Sequence, residues 1–526
     1  MYVLNRNQLV CMIEKNRTTE NFIERILKSR LALVLFLLAA AGSMLLLAAV
    51  QPFGDPPDEI NRFKVVYYIA NHGSLPNGFD EEVILGGYGG SYAFQPILSY
   101  ILMGWLLRFL KLFTMDSFVL ILAARLVNVV FGVVMAYYVW AIGRKLWREV
   151  SMQWLFTLMI VFLPMNLFMH SYVNTDSMAL LSCAMIVYSM LCGEEDDYRP
   201  KTCIRMAIGV IFCAMSYYNA YGIVLCAILF FVFHFARKKA WKEMFTKGGL
   251  ITLIAFAGAG WWFIRNGILY GGDILGMNAR TECAIQTALP ELNPLTRFTF
   301  YGAGLPISAV FAEKQYAWVT FESMIAMFGP MNIPTHGLIY LYYKRLVIVA
   351  CIGALLPIIS KQPLFWEKLG GKDISARQMP LNDADGRIIW KWKLTPRLCF
   401  GLLMLLDCLI TMGLHLYYSY TWEYQPQGRY LLPMVISAGY ILCMGIWKIC
   451  QGMEILAVKC VGKKNPLPYV KYMQTALIWL VMLFVMLTFV YTIFRKVIPA
   501  YWHVNDLSGL RGVPYEQLVD LFFGRM

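Results

Sequence analysis

The chain has 526 residues, of which 59% are hydrophobic and 15% charged, against about 25% charged in a typical soluble domain. Apolar runs of roughly 17–24 residues recur along nearly its whole length, each long enough to cross a ~30 Å hydrocarbon core as a helix. A soluble enzyme, a nucleic-acid reader, a disordered tail and a secreted disulfide scaffold are thereby excluded. The sequence reads as an all-α polytopic membrane protein. Its net charge of +14 is then first a matter of topology, and no nucleic-acid partner is needed. Most of the 13 Cys, such as Cys183, Cys213, Cys226 and Cys351, lie inside apolar runs, where Cys behaves as a small hydrophobe.

In chain order, residues 1–30 are too polar for a signal peptide and form a cytoplasmic segment, and the run from Leu31 reads as a retained anchor. About 11 spans are expected within a transmembrane domain at 31–494. They fall at 31–51, 118–141, 152–172, 177–193, 203–217, 218–236, 248–264, 339–360, 398–418, 431–450 and 473–494. The stretch 96–115 is apolar enough to span but carries Arg108 and Lys111. Treating it as interfacial places 30 of the 46 Lys and Arg on one side, the side the positive-inside rule makes cytoplasmic. The N-terminus is then inside. External loops fall at 52–117, 265–338 and 419–430, a polar cytoplasmic insert at 361–396, and an external tail at 495–526. The glycosylation sequon at Asn16 lies on the cytoplasmic side and is discounted. No repeat at a fixed period supports a transporter built from duplicated halves.

The first external loop concentrates acid. Asp55, Asp58 and Glu59 fall within five residues, just past the first span, and Pro56 and Pro57 prevent that helix from continuing. Ile60, Phe63, Val66, Tyr67 and Ala70 recur at spacings of three and four, so a short amphipathic helix at the membrane surface is expected from Glu59 to Asn71. Its N-terminus would carry the carboxylates, where the helix dipole favours negative charge. An acidic cap on a solvated loop is the plainer reading of the same residues.

Basic residues at external helix ends are candidates for binding phosphate. Arg265 ends a span behind Trp261 and Trp262, and Arg429 opens another beside Tyr430. Arginine can form a bidentate fork on phosphate, although snorkelling to lipid headgroups is the common alternative. Arg125 lies some seven residues deep in its span and would cost ~2.5–3.5 kcal/mol facing lipid. A structural ion pair is its expected role. His72 and His170 read as hydrogen-bonded interfacial residues, and Trp422 and Tyr424 as rings against which a sugar could stack.

Several segments together resemble the GT-C superfamily of multispanning glycosyltransferases. PPDEINRF is similar to its D-E-P-x-H-F motif, with Asp58 and Glu59 on the acidic pair and Phe63 on the aromatic position. Ile60 stands where Pro is usual and Arg62 where His is usual. SYVNTDS (171–177) resembles a second acidic turn, with Asp176 as its carboxylate. WWFIRNGILYGGDILG (261–276), FESMIAMFGPMNIP (321–334) and YQPQGRYLLP (424–433) resemble an uncharacterised bacterial branch of that superfamily.

The resemblance implies a bacterial plasma-membrane enzyme with its site on the extracytoplasmic face. It would move a sugar, with inversion, from a polyprenyl-phosphate donor to a glycan, glycolipid or protein acceptor. Asp58 is then the expected general base, with Glu59 and Asp176 orienting the acceptor or holding a divalent cation such as Mg²⁺ or Mn²⁺. Arg429, Arg265 and Arg62 are expected at the donor phosphate, and Asp55, Tyr430, Trp422, Tyr424 and Asn266 along the substrate. Metal use varies within the superfamily and is left open. Two other readings remain: a transporter or flippase of a lipid-linked precursor, and a non-catalytic subunit of a polysaccharide-assembly complex.

Overall fold

The computed structural model describes residues 24–313, 315–360, 381–382, 388–389, 394–461, 468–502 and 507–523. The Asn16 sequon and nearly all of the 361–396 insert lie outside the described residues. The chain runs through α1 (Arg30–Val50), α2 (Glu59–His72), α3 (Leu98–Leu110), α4 (Ser117–Leu146), α5 (Val150–Val161), α6 (Pro164–Met169), α7 (Asp176–Asp196), α8 (Pro200–Ala214) and α9 (Tyr221–Lys238). It continues through α10 (Trp241–Leu269), α11 (Met277–Thr287), α12 (Ala309–Glu313), α13 (Tyr316–Ala326), α14 (Gly337–Ser360), α15 (Pro396–Thr421), α16 (Val435–Val461), α17 (Pro468–Thr492) and α18 (Ile498–Trp502). Short 3-10 and π-helical segments, among them Tyr92–Phe94 and Gly428–Met434, and two pairs of two-residue strands complete the described structure. This is an all-helical, multi-pass membrane protein.

Among the described residues, nine helices are long and apolar enough to cross a bilayer. Two of the expected spans take another form. The run at 152–172 is broken into α5 and α6 at Pro164, because proline cannot donate into a helix already under way but suits a first turn. The run at 203–217 becomes α8, whose 15 residues extend about 22 Å at 1.5 Å per residue. Helix α8 nevertheless joins the two ends of the bundle. Near its start Cys203 bonds the Tyr198 carbonyl, and at its far end the Met215 carbonyl accepts from Leu98 N–H.

Helix α3 occupies most of the 96–115 stretch. It has 13 residues, about 20 Å, and packs against α2 at one end of the bundle. Arg108 bonds the carbonyls of Ala70 and Asn71 at 3.4 and 3.0 Å, and Lys111 bonds Asn71 Oδ1 at 2.5 Å. The two basic residues thus serve the C-terminal end of α2, where free carbonyls and the helix dipole favour cations. Residues 507–518 pack on the same face through Tyr515, whose N–H bonds the Met115 carbonyl at 2.8 Å.

Local signals explain the helix ends. Ser29, Asp116 and Thr395 cap α1, α4 and α15 by accepting from Ala32, Val119 and Leu398 N–H, satisfying backbone donors that have no partner within the helix. Helix α7, the most deeply buried of the nine long spans, starts at Asp176, with Asn174 Oδ1 accepting from Ser177 N–H at 2.9 Å. The result places the C-terminal end of α1 and the N-terminal ends of α2, α7 and α16 around one rim.

Candidate functional site

At that rim four side chains alternate in charge. Arg429 Nη2 lies 2.8 Å from Asp58 Oδ2, which is 3.8 Å from Arg62 Nη2, and Arg62 Nη1 lies 2.7 Å from Asp176 Oδ2. Arg62, Asp176 and Arg429 are nearly closed off from solvent, while the Asp58 side chain keeps 35% of its surface exposed. Asp58 is therefore the accessible carboxylate of the row.

The backbone accounts for this. Asp58 adopts a left-handed conformation with φ 63° and makes no side-chain cap on α2. An ordinary N-cap aspartate turns its carboxylate onto the helix's own N–H groups. Here the left-handed turn sends it outward to Arg429, at a cost of order 1 kcal/mol for a non-glycine residue. Burial works to raise the Asp58 carboxyl, but Arg429 and Arg62 outweigh it and hold it below the usual carboxylate range. It is ionised at neutral pH.

Arg429 is itself fixed by its neighbours. Its Nε bonds Gln427 Oε1 at 2.7 Å, and its Nη2 bonds Tyr430 OH at 3.0 Å. Tyr430 OH donates in turn to Gln425 Oε1 at 2.6 Å. Gly428 N–H bonds Ser323 Oγ of α13 at 2.7 Å. A Cβ at Gly428 would overlap Met324 N and Thr320 O, so only glycine allows this close approach. The 321–334 and 424–433 segments thus form one support for the Arg429 guanidinium. On the other side, the Arg62 guanidinium lies over the Tyr92 ring at 5.4 Å, and burial pushes the Tyr92 hydroxyl well above its ordinary range.

The structure separates the remaining candidates. Glu59, expected beside Asp58 as an acceptor-orienting or metal-binding group, is fully buried and faces the other way. Both its oxygens are held by Arg125, at 2.8 and 2.6 Å, so that Arg125 has the ion pair its depth called for. Arg265 is not at the row: its Nη2 bonds the Pro76 carbonyl at 2.7 Å. Asn266 likewise braces the first loop, donating to the Phe94 carbonyl at 3.2 Å. Trp422 stacks under Arg297 and Tyr424 packs on Phe300 and Tyr316. Asp55 sits beside Gly329, its carboxyl raised by burial. His170 is buried and bonds Ser177 Oγ at 2.5 Å, while His72 bonds Glu82.

A divalent cation does not suit this donor set. Among the described residues no three His, Cys, Asp or Glu side chains are grouped to hold one. Asp58 and Asp176 already share Arg62 as their cation, and the Glu59 oxygens are taken by Arg125. Sequence reasoning passed over Tyr92, Gln425, Gln427 and the Ser323–Gly428 contact. The two glutamines lie within the YQPQGRY segment, whereas nothing local marks Tyr92.

Fold and site together define a polytopic helical membrane protein with a buried ionic row at one rim. The chain belongs to the family described as predicted membrane protein (DUF2142), whose family model matches residues 80–438. That match includes Arg125, Asp176 and Arg429 and begins downstream of Asp58. No curated protein matches the chain. Among solved structures, ArnT from Cupriavidus metallidurans bound to undecaprenyl phosphate is similar, with 13% identity and a TM-score of 0.42. That similarity covers 90% of this chain and 74% of the other.

Proposed function

We propose that the protein is a membrane glycosyltransferase that takes a sugar from a polyprenyl-phosphate donor at the outer face of a bacterial plasma membrane. The acceptor is a glycan, glycolipid or protein. The observation that carries this reading is the partly exposed Asp58 carboxylate held between two buried arginines at one end of the helical bundle. A carboxylate so placed can take the acceptor hydroxyl proton as the oxygen attacks the anomeric carbon. The bond from that carbon to the phosphate oxygen breaks on the opposite face, which inverts the centre.

The leaving polyprenyl phosphate carries the released electron pair as negative charge and needs cationic donors. Arg62 and Arg429 meet that need. Among the described residues, Arg62 Nε and Arg429 Nη1 are buried without a hydrogen-bond partner, and burial makes such unmet donors costly. A donor phosphate drawing on these arginines also loosens their hold on Asp58, which becomes a stronger base as the donor binds. Asp176 keeps Arg62 oriented.

The test is an Asp58→Asn strain compared with a deletion strain by profiling lipid-linked sugars and surface glycans. Asparagine tolerates the left-handed turn, so the variant should fold and insert yet match the deletion profile. A wild-type profile from Asp58→Asn would remove Asp58 as the base.

A further inference from the structure

Asp58 and Glu59 are neighbours in the chain but look in opposite directions, and the buried side of that divide has its own architecture. Besides both Glu59 oxygens, Arg125 bonds the carbonyls of Ala48 at 2.7 Å, Gln51 at 2.8 Å and Pro52 at 3.1 Å. Glu59 in turn accepts the N–H groups of Gly54 and Val173, each at 3.1 Å. One fully buried pair therefore ties the end of α1, both flanks of Asp58, helix α4 and the segment three residues before Asp176.

Burying two charges is expensive, and apolar side chains of similar size commonly stabilise a core as well or better. Stability alone is thus a poor explanation for this pair. Its geometry matches a different requirement: Asp58 sits in a strained left-handed turn that the surroundings must over-determine. From this we infer that Glu59 and Arg125 are positioning residues that hold the Asp58 turn and fix its separation from Asp176. The inference rests on the proposed function only for the reacting role of Asp58; the clamp itself is a claim about structure.

Hydrogen exchange tests the clamp without any activity. Gly54 and Val173 donate to the two oxygens of one carboxylate, so in the wild-type protein their amides should open together, with protection matching within about ten-fold. In Arg125→Lys, which keeps a cation for Glu59 but loses the fork, residues 52–62 and 171–177 should both exchange about ten-fold faster. Residues 234–247, at the other end of the bundle, should be unchanged. Protection that differs by more than ten-fold in the wild type, or a variant in which only one segment loosens, overturns the clamp.

Transfer assays test the positioning. The charged and titratable groups facing Asp58 are Arg429, Arg62, Glu423 and the tyrosines Tyr88, Tyr92, Tyr100, Tyr418 and Tyr430. A looser turn withdraws the carboxylate from the two arginines that hold it low, so the acid limb of kcat/KM should move to higher pH in Arg125→Lys. A merely destabilised protein would lose amplitude with the limb in place, and that outcome overturns the positioning role. Coupled exchange together with Asp58→Asn transferring sugar normally would instead sink the transferase reading and leave the clamp standing.

Discussion

The two ends of the bundle use the same ionic side chains to opposite effect. At the end away from Asp58, Lys145 pairs with Glu195, Arg237 with Glu194, Lys238 with Asp197 and Lys247 with Glu243. In each of these pairs the carboxylate is 24–59% exposed, and water screens much of the attraction. At the rim, Arg125, Glu59, Arg62, Asp176 and Arg429 are almost wholly out of solvent, and each cation serves more than one partner. Exposed pairs are each worth little, although buried His234 links Glu194 and Asp197 at this end. Buried, shared pairs are costly to break, since removing one member strands another.

The sharpest break of this comparison is Arg125→Ala. It leaves Glu59 buried and unpaired and should cost about 3–5 kcal/mol, read as a lowered unfolding midpoint in detergent. Next is Gly428→Ala, whose methyl overlaps the α13 backbone. Relieving that overlap should cost about 1–3 kcal/mol and draw Arg429 away from Asp58, so that sugar transfer falls although every charged group is retained.

The folded Asp58 carboxyl lies below its ordinary value because Arg429 and Arg62 outweigh burial. Its contribution to stability is therefore complete above the unfolded value, about 3.9, and is lost as pH falls through the lower folded one. The stability gap between wild type and Asp58→Asn should be full at neutral pH and close in strong acid. A gap that widens on acidification would mean the arginines do not hold Asp58. The smallest effect is expected for Lys145→Ala at the opposite end, within about 0.5 kcal/mol. A loss as large as that of Arg125→Ala would erase the distinction between the ends.

Membrane class, most spans and the helical fold were legible because hydrocarbon thickness sets a length that apolar runs reveal directly. Charge counting favours an interfacial 96–115, and what the structure adds is that Arg108 and Lys111 bond the end of α2. Pro164 is visible in the chain, but the apolar run around it reads as one span because hydropathy does not register the break. Asp58, Asp176 and Arg429 could be picked out as candidates from their segments. Their meeting could not, since Asp58 and Arg429 are 371 positions apart.

Glu59 shows the limit most clearly. Composition and spacing make it the twin of Asp58, yet one left-handed residue turns the two carboxylates to opposite sides. Arg265 and Asn266, equally plausible by position, were captured by the carbonyls of Pro76 and Phe94. By itself the sequence determined that this chain lies in a membrane and gathers its scarce acids past the first span, because hydropathy and charge act through local composition. Only the tertiary structure decided which carboxylate faces the opening and which is locked inside, because that depends on the partners distant segments bring to each oxygen.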